Sequence, residues 1–182
     1  ETILPMSDAA IATWVATEEE GELPFQRYFV ELRCAPRVKA IRFEGAGKAS
    51  PAPGVVEAIA GAQTILIAPS NPYLSIDPIL AIGEIRTALE KASAPVVAGS
   101  PLVGGQAVKG PTRKLMDELG VPADPQTLTS HYGGLVDAIL VDERDRDRGA
   151  PPIAHAYADT LMRTLDDRVR VARAALDLSA RL

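Results

Sequence analysis

The sequence is poor in cysteine, histidine and aromatic residues. Its one cysteine, Cys34, excludes an intrachain disulfide, and we expect it to be a small buried side chain. The two histidines, His131 and His155, have no partners at the spacing of a metal site or a catalytic triad, so we expect them to be structural. Aromatic residues make up 4% of the chain. We expect Trp14, Phe25 and Tyr28 to belong to the core and not to a surface that binds a cofactor.

The chain also lacks an excess of basic residues and long apolar runs. It has 24 acidic and 19 basic residues, a formal net charge of −5 and a pI of about 5.1, with the basic residues scattered. This pattern argues against a nucleic-acid or anionic-membrane surface and favours a small-molecule partner. No apolar run reaches the roughly 18 residues of a membrane span, and residues 1–8 do not resemble a signal peptide. We therefore expect a cytoplasmic protein, and a chain that begins within a fold.

What the sequence does contain is an alternation of strand and helix patterns. Alternating apolar residues predict strands at 11–17, 37–45, 64–68, 95–99 and 137–142. Helical spacing predicts helices at 24–33, 53–62, 82–92 and 111–120, and a last helix from Thr164. Strands that alternate with helices are typical of βαβ units. We therefore predict an α/β, Rossmann-like three-layer fold with a mostly parallel sheet and a ligand crevice at the carboxyl ends of its strands.

Several helix boundaries have local causes. Pro53 and Pro111 are suited to the first position of a helix, where a missing N–H costs little, and Gly120 is suited to the positive φ of a helix C-terminus. Thr164 and Asp167 have the spacing of a capping box. For the last helix we predict a buried face of Val169, Ala172 and Leu176. The mixed charges of 143–149, ERDRDRG, favour a solvated loop.

Two polar loops follow consecutive predicted strands. The stretch PSNPYLS (69–75) follows the strand at 64–68, and SPLVGGQAVKGP (100–111) follows the strand at 95–99. Ligands of parallel sheets bind outside the carboxyl ends of the strands, so both loops should open onto one crevice. The residues that would face it are Ser70, Asn71, Ser75, Ser100, Gly104, Gly105, Lys109 and Gly110.

The second of these loops has features of a phosphate-binding site. Gly104 and Gly105 would let backbone N–H groups approach an anion, and Lys109 would add a positive charge. The helix predicted to begin at Pro111 would direct its partly positive end toward the same space. The alternative is equally open: both loops are glycine- and proline-rich connections whose polar side chains satisfy backbone groups.

A second glycine-rich stretch, EGAGKAS (44–50), is a weaker candidate. Lys48 is followed by Ala49, not by Ser or Thr, and Arg42 stands where a P-loop needs a glycine. We do not expect it to bind phosphate. The segment LPMSD (4–8) also leaves two interpretations open, because Ser7 and Asp8 could serve a site at a strand end or an ordinary turn.

Taken in order, five motifs resemble one family. They are LPMSD (4–8), RFEG (42–45), IAPSNPYLSIDPIL (67–80), PVVAGSPLVGGQAVKGP (95–111) and DTLM (159–162). Together they resemble the 2-phospho-L-lactate transferase family, known in actinobacteria as the phosphoenolpyruvate transferase of coenzyme F-420 biosynthesis. The alternative is the related gluconeogenesis-factor-like branch, whose members would be non-catalytic nucleotide- or nucleotide-sugar-binding regulators. That branch differs at the SNP and KGP loops.

The resemblance implies a reaction and two binding regions. Such enzymes transfer a phospholactyl or phosphoenolpyruvyl group from a guanylylated donor to the ribityl hydroxyl of the deazaflavin Fo, release GMP, and use Mg²⁺. The resemblance assigns Met6, Ser7 and Asp8 to the acceptor side, leaves the catalytic base unassigned, and makes a homodimer plausible. It assigns nucleotide or donor binding to Pro69, Ser70, Asn71, Ser75, Ser100, Gly104, Gly105, Lys109 and Gly110.

The chain departs from the family at its front. Family members have an N-terminal half with a GGTGG phosphate loop and metal-binding aspartates, and neither is present in residues 1–182. We therefore expect one α/β unit that forms the C-terminal portion of a longer transferase. By the same expectation, this portion holds no metal ligand.

Overall fold

The computed structural model describes residues 2–182 and places a four-stranded parallel sheet at the centre. The strand order is β4-β5-β8-β9, and each neighbouring pair is parallel. The bounds of these strands are Ile65–Ile67 for β4, Val96–Gly99 for β5, Ala138–Asp142 for β8 and Ala154–Ala158 for β9. The predicted α/β fold with a mostly parallel sheet is confirmed.

The two central strands are buried on both faces, as apolar strands of parallel sheets usually are. Side chains alternate between the faces: Val96 and Ile139 join the main core, whereas Val97 and Leu140 face a second cluster. Helices α3 and α5 cover the first face, and α6 covers the second. This arrangement gives the three predicted layers.

The helices include four predicted elements and some that were not predicted. Their bounds are α1 Val55–Ala60, α2 Asp77–Leu80, α3 Gly83–Glu90, α4 Thr112–Glu118, α5 Pro125–Tyr132 and α6 Leu165–Ser179. Helix α5 was missed, although Asp124 caps it by accepting the N–H of Thr127 at 2.7 Å. Strand β9 was also missed, because its sequence AHAYA has no β-branched residue. No helix within residues 2–182 is long and apolar enough to cross a membrane.

A separate antiparallel sheet is formed by the first part of the chain. Its order is β2-β1-β3, with bounds Gly21–Pro24, Ala12–Thr17 and Val38–Glu44. The helix predicted over 24–33 is confirmed over residues 25–31, where its main part is a π-helix over Arg27–Glu31, whereas Pro24 is the last residue of strand β2.

Two proline predictions need correction, and one glycine prediction is confirmed. Pro53 does not begin a helix, because α1 starts at Val55 after Gly54 at φ +88°. Pro111 is the residue before α4 and not its first residue, although its carbonyl accepts the first helical N–H at 2.8 Å. Gly120 has φ +72°, as expected after the end of a helix.

The last helix begins as predicted but buries a different face. Thr164 and Asp167 form the reciprocal capping box. Val171 and Leu178 are buried against the sheet, whereas Val169 and Leu176 of the predicted face are exposed. Apolar residues occupy both stripes of this helix, so helical spacing could not distinguish them.

The charged segment 143–149 is exposed as predicted except at Asp145, but it is helical and not a loop. Residues Glu143–Arg148 form a 3₁₀ helix after β8, with Asp145 fully buried beneath it. The carboxylate of Asp145 accepts the N–H of Gly104 at 3.0 Å. This segment therefore supports the loop that follows β5.

Candidate functional site

A cavity of about 580 Å³ lies at the carboxyl ends of β4 and β5. One wall comes from the loops after these two strands. The opposite side comes from the π-helix of the antiparallel sheet and from the segment between β9 and α6. The lining residues are Phe25, Phe29, Pro69, Ser70, Asn71, Leu74, Ser75, Ser100, Pro101, Val103, Val108, Lys109, Gly110, Pro111, Thr112, Thr160, Leu161, Met162 and Arg168.

The structure brings the two predicted loops together at this cavity. The predicted donor-binding residues that line it are Pro69, Ser70, Asn71, Ser75, Ser100, Lys109 and Gly110. Gly104 and Gly105 are not among its lining residues. As the rule that parallel strands present their carboxyl ends to a common crevice predicts, seven of the nine predicted donor-binding residues line one cavity.

Asn71 has a structural role and an unused donor. Its Oδ1 accepts the backbone N–H groups of Tyr73 and Leu74 at 3.0 and 3.1 Å, which caps the π-helix Pro72–Ile76. Its Nδ2 is buried and has no hydrogen-bond partner within residues 2–182. A buried amide without an acceptor is costly, so a ligand oxygen at this point would be favourable.

Gly104 and Gly105 have a different role from the predicted one. They are the two turn residues between β6 (Leu102–Val103) and β7 (Gln106–Ala107), with φ of +62° and +71°. Two consecutive positive φ values are what a tight hairpin needs. The N–H of Gly104 is used by Asp145, so it is not directed at an anion in the cavity. For this pair, the interpretation as a turn describes the geometry.

The charged side chains that line the cavity are both cations. Lys109 reaches it from the loop before α4, and Arg168 reaches it from α6. No carboxylate is among the lining residues. Within residues 2–182, neither cation has an acidic side chain within 4 Å. The cavity therefore has a positive electrostatic character that suits an anionic ligand.

A buried carboxylate at the end of β8 fixes one edge of the cavity. Asp142 is fully buried, and its Oδ2 accepts both the N–H and the hydroxyl of Thr160 at 2.9 Å. Arg144 donates to the same carboxylate from its backbone and its guanidinium at 3.0 Å. Burial raises the pKa of Asp142, but these hydrogen bonds outweigh it and hold the pKa below its ordinary value.

Thr160, Leu161 and Met162 belong to the DTLM motif, yet we had not assigned them to the site. Asp159, the first residue of the motif, is paired with Arg144 at 2.9 Å and Arg170 at 3.3 Å. The hydrogen bond from Arg144 is the main reason that the pKa of Asp159 lies below its ordinary value. Both acidic groups beside this edge, Asp142 and Asp159, are thus neutralised by arginines.

Apolar side chains also line the cavity. Phe25 and Phe29 have ring centroids 5.2 Å apart, and Phe29 is 40% exposed. Val108 and Met162 add further exposed apolar surface to the same cavity. The assignment of Phe25 to the core is wrong in this respect, whereas Tyr28 is fully buried as predicted. Helical spacing could not show that the residues around Tyr28 border a cavity.

The residues predicted for the acceptor side lie outside the cavity lining. Met6 packs against the main core, and Asp8 is exposed. The hydroxyl of Ser7 donates to the carbonyl of Ser50 at 2.6 Å and accepts the N–H of Ala9 at 3.1 Å. The contact with Ala9 is that of an ordinary turn, the alternative left open for this segment, and the contact with Ser50 joins the segment to a distant part of the chain.

The histidines have local partners, and the cysteine is less buried than expected. His131 Nε2 lies 2.8 Å from Asp77 Oδ1, and His155 Nδ1 lies 2.9 Å from the carbonyl oxygen of Ile153. Both contacts agree with structural roles. Cys34 is half-buried, and its burial raises the pKa of the thiol. A raised thiol pKa argues against a reactive nucleophile.

The donor set of the cavity does not fit Mg²⁺. Hard divalent cations need carboxylate or carbonyl oxygens, whereas this cavity is lined by two cationic side chains. Across residues 2–182, no three His, Cys, Asp or Glu side chains are close enough to hold a metal ion.

Comparison with known proteins agrees with the motifs. The model of the family 2-phospho-L-lactate transferase CofD matches residues 1–173. A phosphoenolpyruvate transferase from Streptomyces griseus is 41% identical, with 97% of this chain and 58% of that protein covered. A 2-phospho-L-lactate transferase from Methanopyrus kandleri is 40% identical, with 96% of this chain and 56% of that protein covered.

A crystal structure gives the same view of the fold. It is a member of the UPF0052 family from Bacillus halodurans, with a TM-score of 0.61 and 19% identity, and the match covers 94% of this chain and 61% of that chain. At this identity the likeness concerns the fold alone. The chain spans less than two thirds of the length of the curated relatives it matches. The match to the family model over nearly the whole chain, at the motifs that build the cavity, shows that this chain belongs to the 2-phospho-L-lactate transferase family.

Proposed function

We propose that this chain carries the donor-binding part of a transferase of coenzyme F-420 biosynthesis. The donor is a guanylylated phospholactate or phosphoenolpyruvate, and the acceptor is the ribityl hydroxyl of the deazaflavin Fo. The observation that carries this proposal is the positive cavity at the carboxyl ends of β4 and β5, with the unpaired amide of Asn71 beside it. Family membership identifies the reaction class.

The chemistry of the cavity suits a donor that has a flat base and a diphosphate. Hydroxyl groups of Ser70, Ser75 and Ser100 can donate to phosphate or ribose oxygens, and Lys109 supplies a positive charge. The apolar wall of Phe25 and Phe29 offers a surface of the kind on which aromatic rings stack. A donor of this class would therefore meet complementary groups on both sides.

The proposed transfer is an attack of an alcohol on phosphorus. The ribityl oxygen forms a bond to the phosphorus that carries the lactyl or enolpyruvyl group, and the bond to the bridging oxygen breaks. GMP leaves with that oxygen, and the hydroxyl proton is released. In phosphoryl transfer most of the rate comes from positioning and from neutralising charge on the phosphate oxygens, so the cation and donors of this cavity would contribute directly.

Mg²⁺ stays a proposed cofactor of the reaction. When bound, it would supply positive charge that offsets the negative charge of the phosphate groups. The residues that line this cavity do not fit it, so we assign it no ligand among residues 2–182.

Nucleotide binding tests the donor site. We expect the chain to bind GDP, and Asn71→Ser to weaken binding about tenfold, because the serine keeps the helix-capping oxygen and removes the amide donor. Lys109→Ala should weaken it by a similar factor. Lys48→Ala is the matched control, since Lys48 is exposed in the other glycine-rich stretch and does not line the cavity. Titration calorimetry at fixed ionic strength measures all four proteins. Equal affinities for all four would refute the site.

Product formation distinguishes the transferase from the alternative. We expect the complete gene product, given donor and Fo, to form the phospholactyl or phosphoenolpyruvyl product, which mass spectrometry detects. Nucleotide binding without any product from either donor would instead favour a non-catalytic nucleotide-binding regulator.

A further inference from the structure

We propose that Arg168 is a second anion-binding residue of the cavity. It contacts one anionic group of the ligand, and Lys109 contacts another. Neither the motifs nor the resemblance assigns Arg168 a role. The shared ligand chemistry is a phosphate or carboxylate group. This inference rests on the proposed function for the identity of the ligand and on the structure for the site.

The position of Arg168 is set by two separate features. It is the fourth residue of α6, and its N–H closes the first turn on the carbonyl of Thr164 at 3.4 Å. Its side chain borders the same cavity as Thr160 and Met162, which precede that helix. Lys109 borders the cavity from the loop between β7 and α4. The two cations therefore come from different elements, which lets them contact different groups of one ligand.

The two arginines that bind Asp159 at the edge of the cavity are paired, whereas Arg168 is not. Arg144 and Arg170 bind Asp159, and Arg170 also binds Asp167 at 2.6 Å. Within residues 2–182, Arg168 has no acidic partner within 4 Å and no side-chain hydrogen bond. Asp159 and Asp167 are thus already paired with other arginines. The charge of Arg168 remains available to a ligand.

The helix dipole gives no reason for a cation at this position. The N-terminal end of a helix carries a partial positive charge, which favours acidic residues and disfavours cations. The first turn of α6 follows this rule with Asp166 and Asp167. Arg168, the next residue, is a cation near the end of the helix that favours anions. A ligand anion would offset this unfavourable placement, and the guanidinium offers a planar fork that matches phosphate and carboxylate oxygens.

The test compares Arg168→Gln with Arg173→Gln. Arg173 is on the same helix, has no acidic partner within 4 Å in the described part of the chain, and does not line the cavity. Wild type and both variants are titrated with GMP, GDP, inorganic phosphate and phosphoenolpyruvate at one ionic strength. We expect Arg168→Gln to weaken at least one probe about tenfold relative to Arg173→Gln. Arg168→Lys should recover part of the loss, because it restores the charge without the fork.

The probes identify the oxyanion. A larger loss for GDP than for GMP assigns Arg168 to the terminal phosphate of the nucleotide. A larger loss for phosphoenolpyruvate than for inorganic phosphate assigns it to the carboxylate. Equal affinities of Arg168→Gln and Arg173→Gln for all four probes would overturn the inference.

The two proposals fail in different ways. If Asn71→Ser and Lys109→Ala weaken GDP binding but Arg168→Gln does not, the donor site stands and the role of Arg168 is refuted. If wild type binds none of the four probes, both are refuted.

Discussion

Two glycine-rich stretches of this chain look alike in sequence and differ in what they build. Residues 44–50 follow strand β3 of the antiparallel sheet, and residues 103–110 follow strand β5 of the parallel sheet. Each contains one lysine and at least one glycine with positive φ. Lys48 of the first is exposed and lies outside the cavity lining, whereas Lys109 of the second lines the cavity.

The difference shows that glycines near a lysine do not by themselves indicate a phosphate site. In both stretches a glycine serves the backbone: Gly45 approaches the carbonyl of Ala10, and Gly105 turns the hairpin. The two lysines differ in the kind of strand that precedes them: β3 belongs to the antiparallel sheet, and β5 belongs to the parallel sheet. Only a strand of the parallel sheet directs the following loop to the edge where ligands bind. Three substitutions test this interpretation, from the largest expected effect to the smallest.

Gly45→Ala should destabilise the antiparallel side strongly. Gly45 has φ +86°, and an added Cβ would lie 2.6 Å from the backbone oxygen of Ala10. A left-handed alanine costs about 1–2 kcal/mol, and the clash with backbone adds to it, so we expect a loss of about 3 kcal/mol in the free energy of unfolding. Urea denaturation measures it, and GDP affinity of the folded protein should not change. Gly47→Ala is the matched control, because its Cβ would meet nothing within 4 Å. Equal losses for the two variants would contradict the structural role of Gly45.

Asp142→Asn should lower the free energy of unfolding by less than Gly45→Ala does. The carboxylate is fully buried and accepts hydrogen bonds from Arg144 and Thr160, so its neutral analogue loses charge-assisted bonds worth about 2 kcal/mol. Because the pKa of Asp142 is lowered in the fold, its stabilisation is present above the unfolded pKa of about 3.9 and disappears as the pH falls through the lower folded pKa. Denaturation midpoints of the wild type and the variant should therefore converge in acid. A gap that does not narrow below pH 4 would contradict this role.

The polar side of the site was predictable, because it depends on a rule about strand ends. The strands at 64–68 and 95–99 were recognisable as apolar runs, and Ser70, Asn71 and Lys109 follow from them. The hairpin at Gly104 and Gly105 was not recognised, since two adjacent glycines fit a turn and a phosphate loop equally well.

The remaining parts of the site depend on contacts between distant segments. Phe25 and Phe29 have helical spacing, but only the position of their π-helix beside the parallel sheet places them at the cavity. Arg168 belongs to a helix whose exposed face was taken for the buried one. The burial of Asp145 could not be predicted either, because its sequence neighbours Arg144 and Arg146 are exposed and suggest a solvated segment.

Asp145→Asn should have the smallest effect and the opposite dependence on pH. Asparagine can still accept the N–H of Gly104, and the ion pair that is lost joins Arg148, whose side chain is 45% exposed. We therefore expect a change below about 1 kcal/mol at neutral pH.

Burial raises the pKa of Asp145 above its ordinary value despite the hydrogen bonds from the hairpin. Protonated Asp145 thus favours the fold below the unfolded pKa of about 3.9, and this advantage disappears as the pH rises through the folded pKa. Relative to wild type, Asp145→Asn should gain stability as the pH rises above about 4, whereas Asp142→Asn should lose it as the pH rises toward about 4 and change little above it. Urea denaturation of both variants across this pH range compares two carboxylates three residues apart. If the stability of the two variants changed with pH in the same way, the hairpin would not depend on Asp145 in the way the structure indicates.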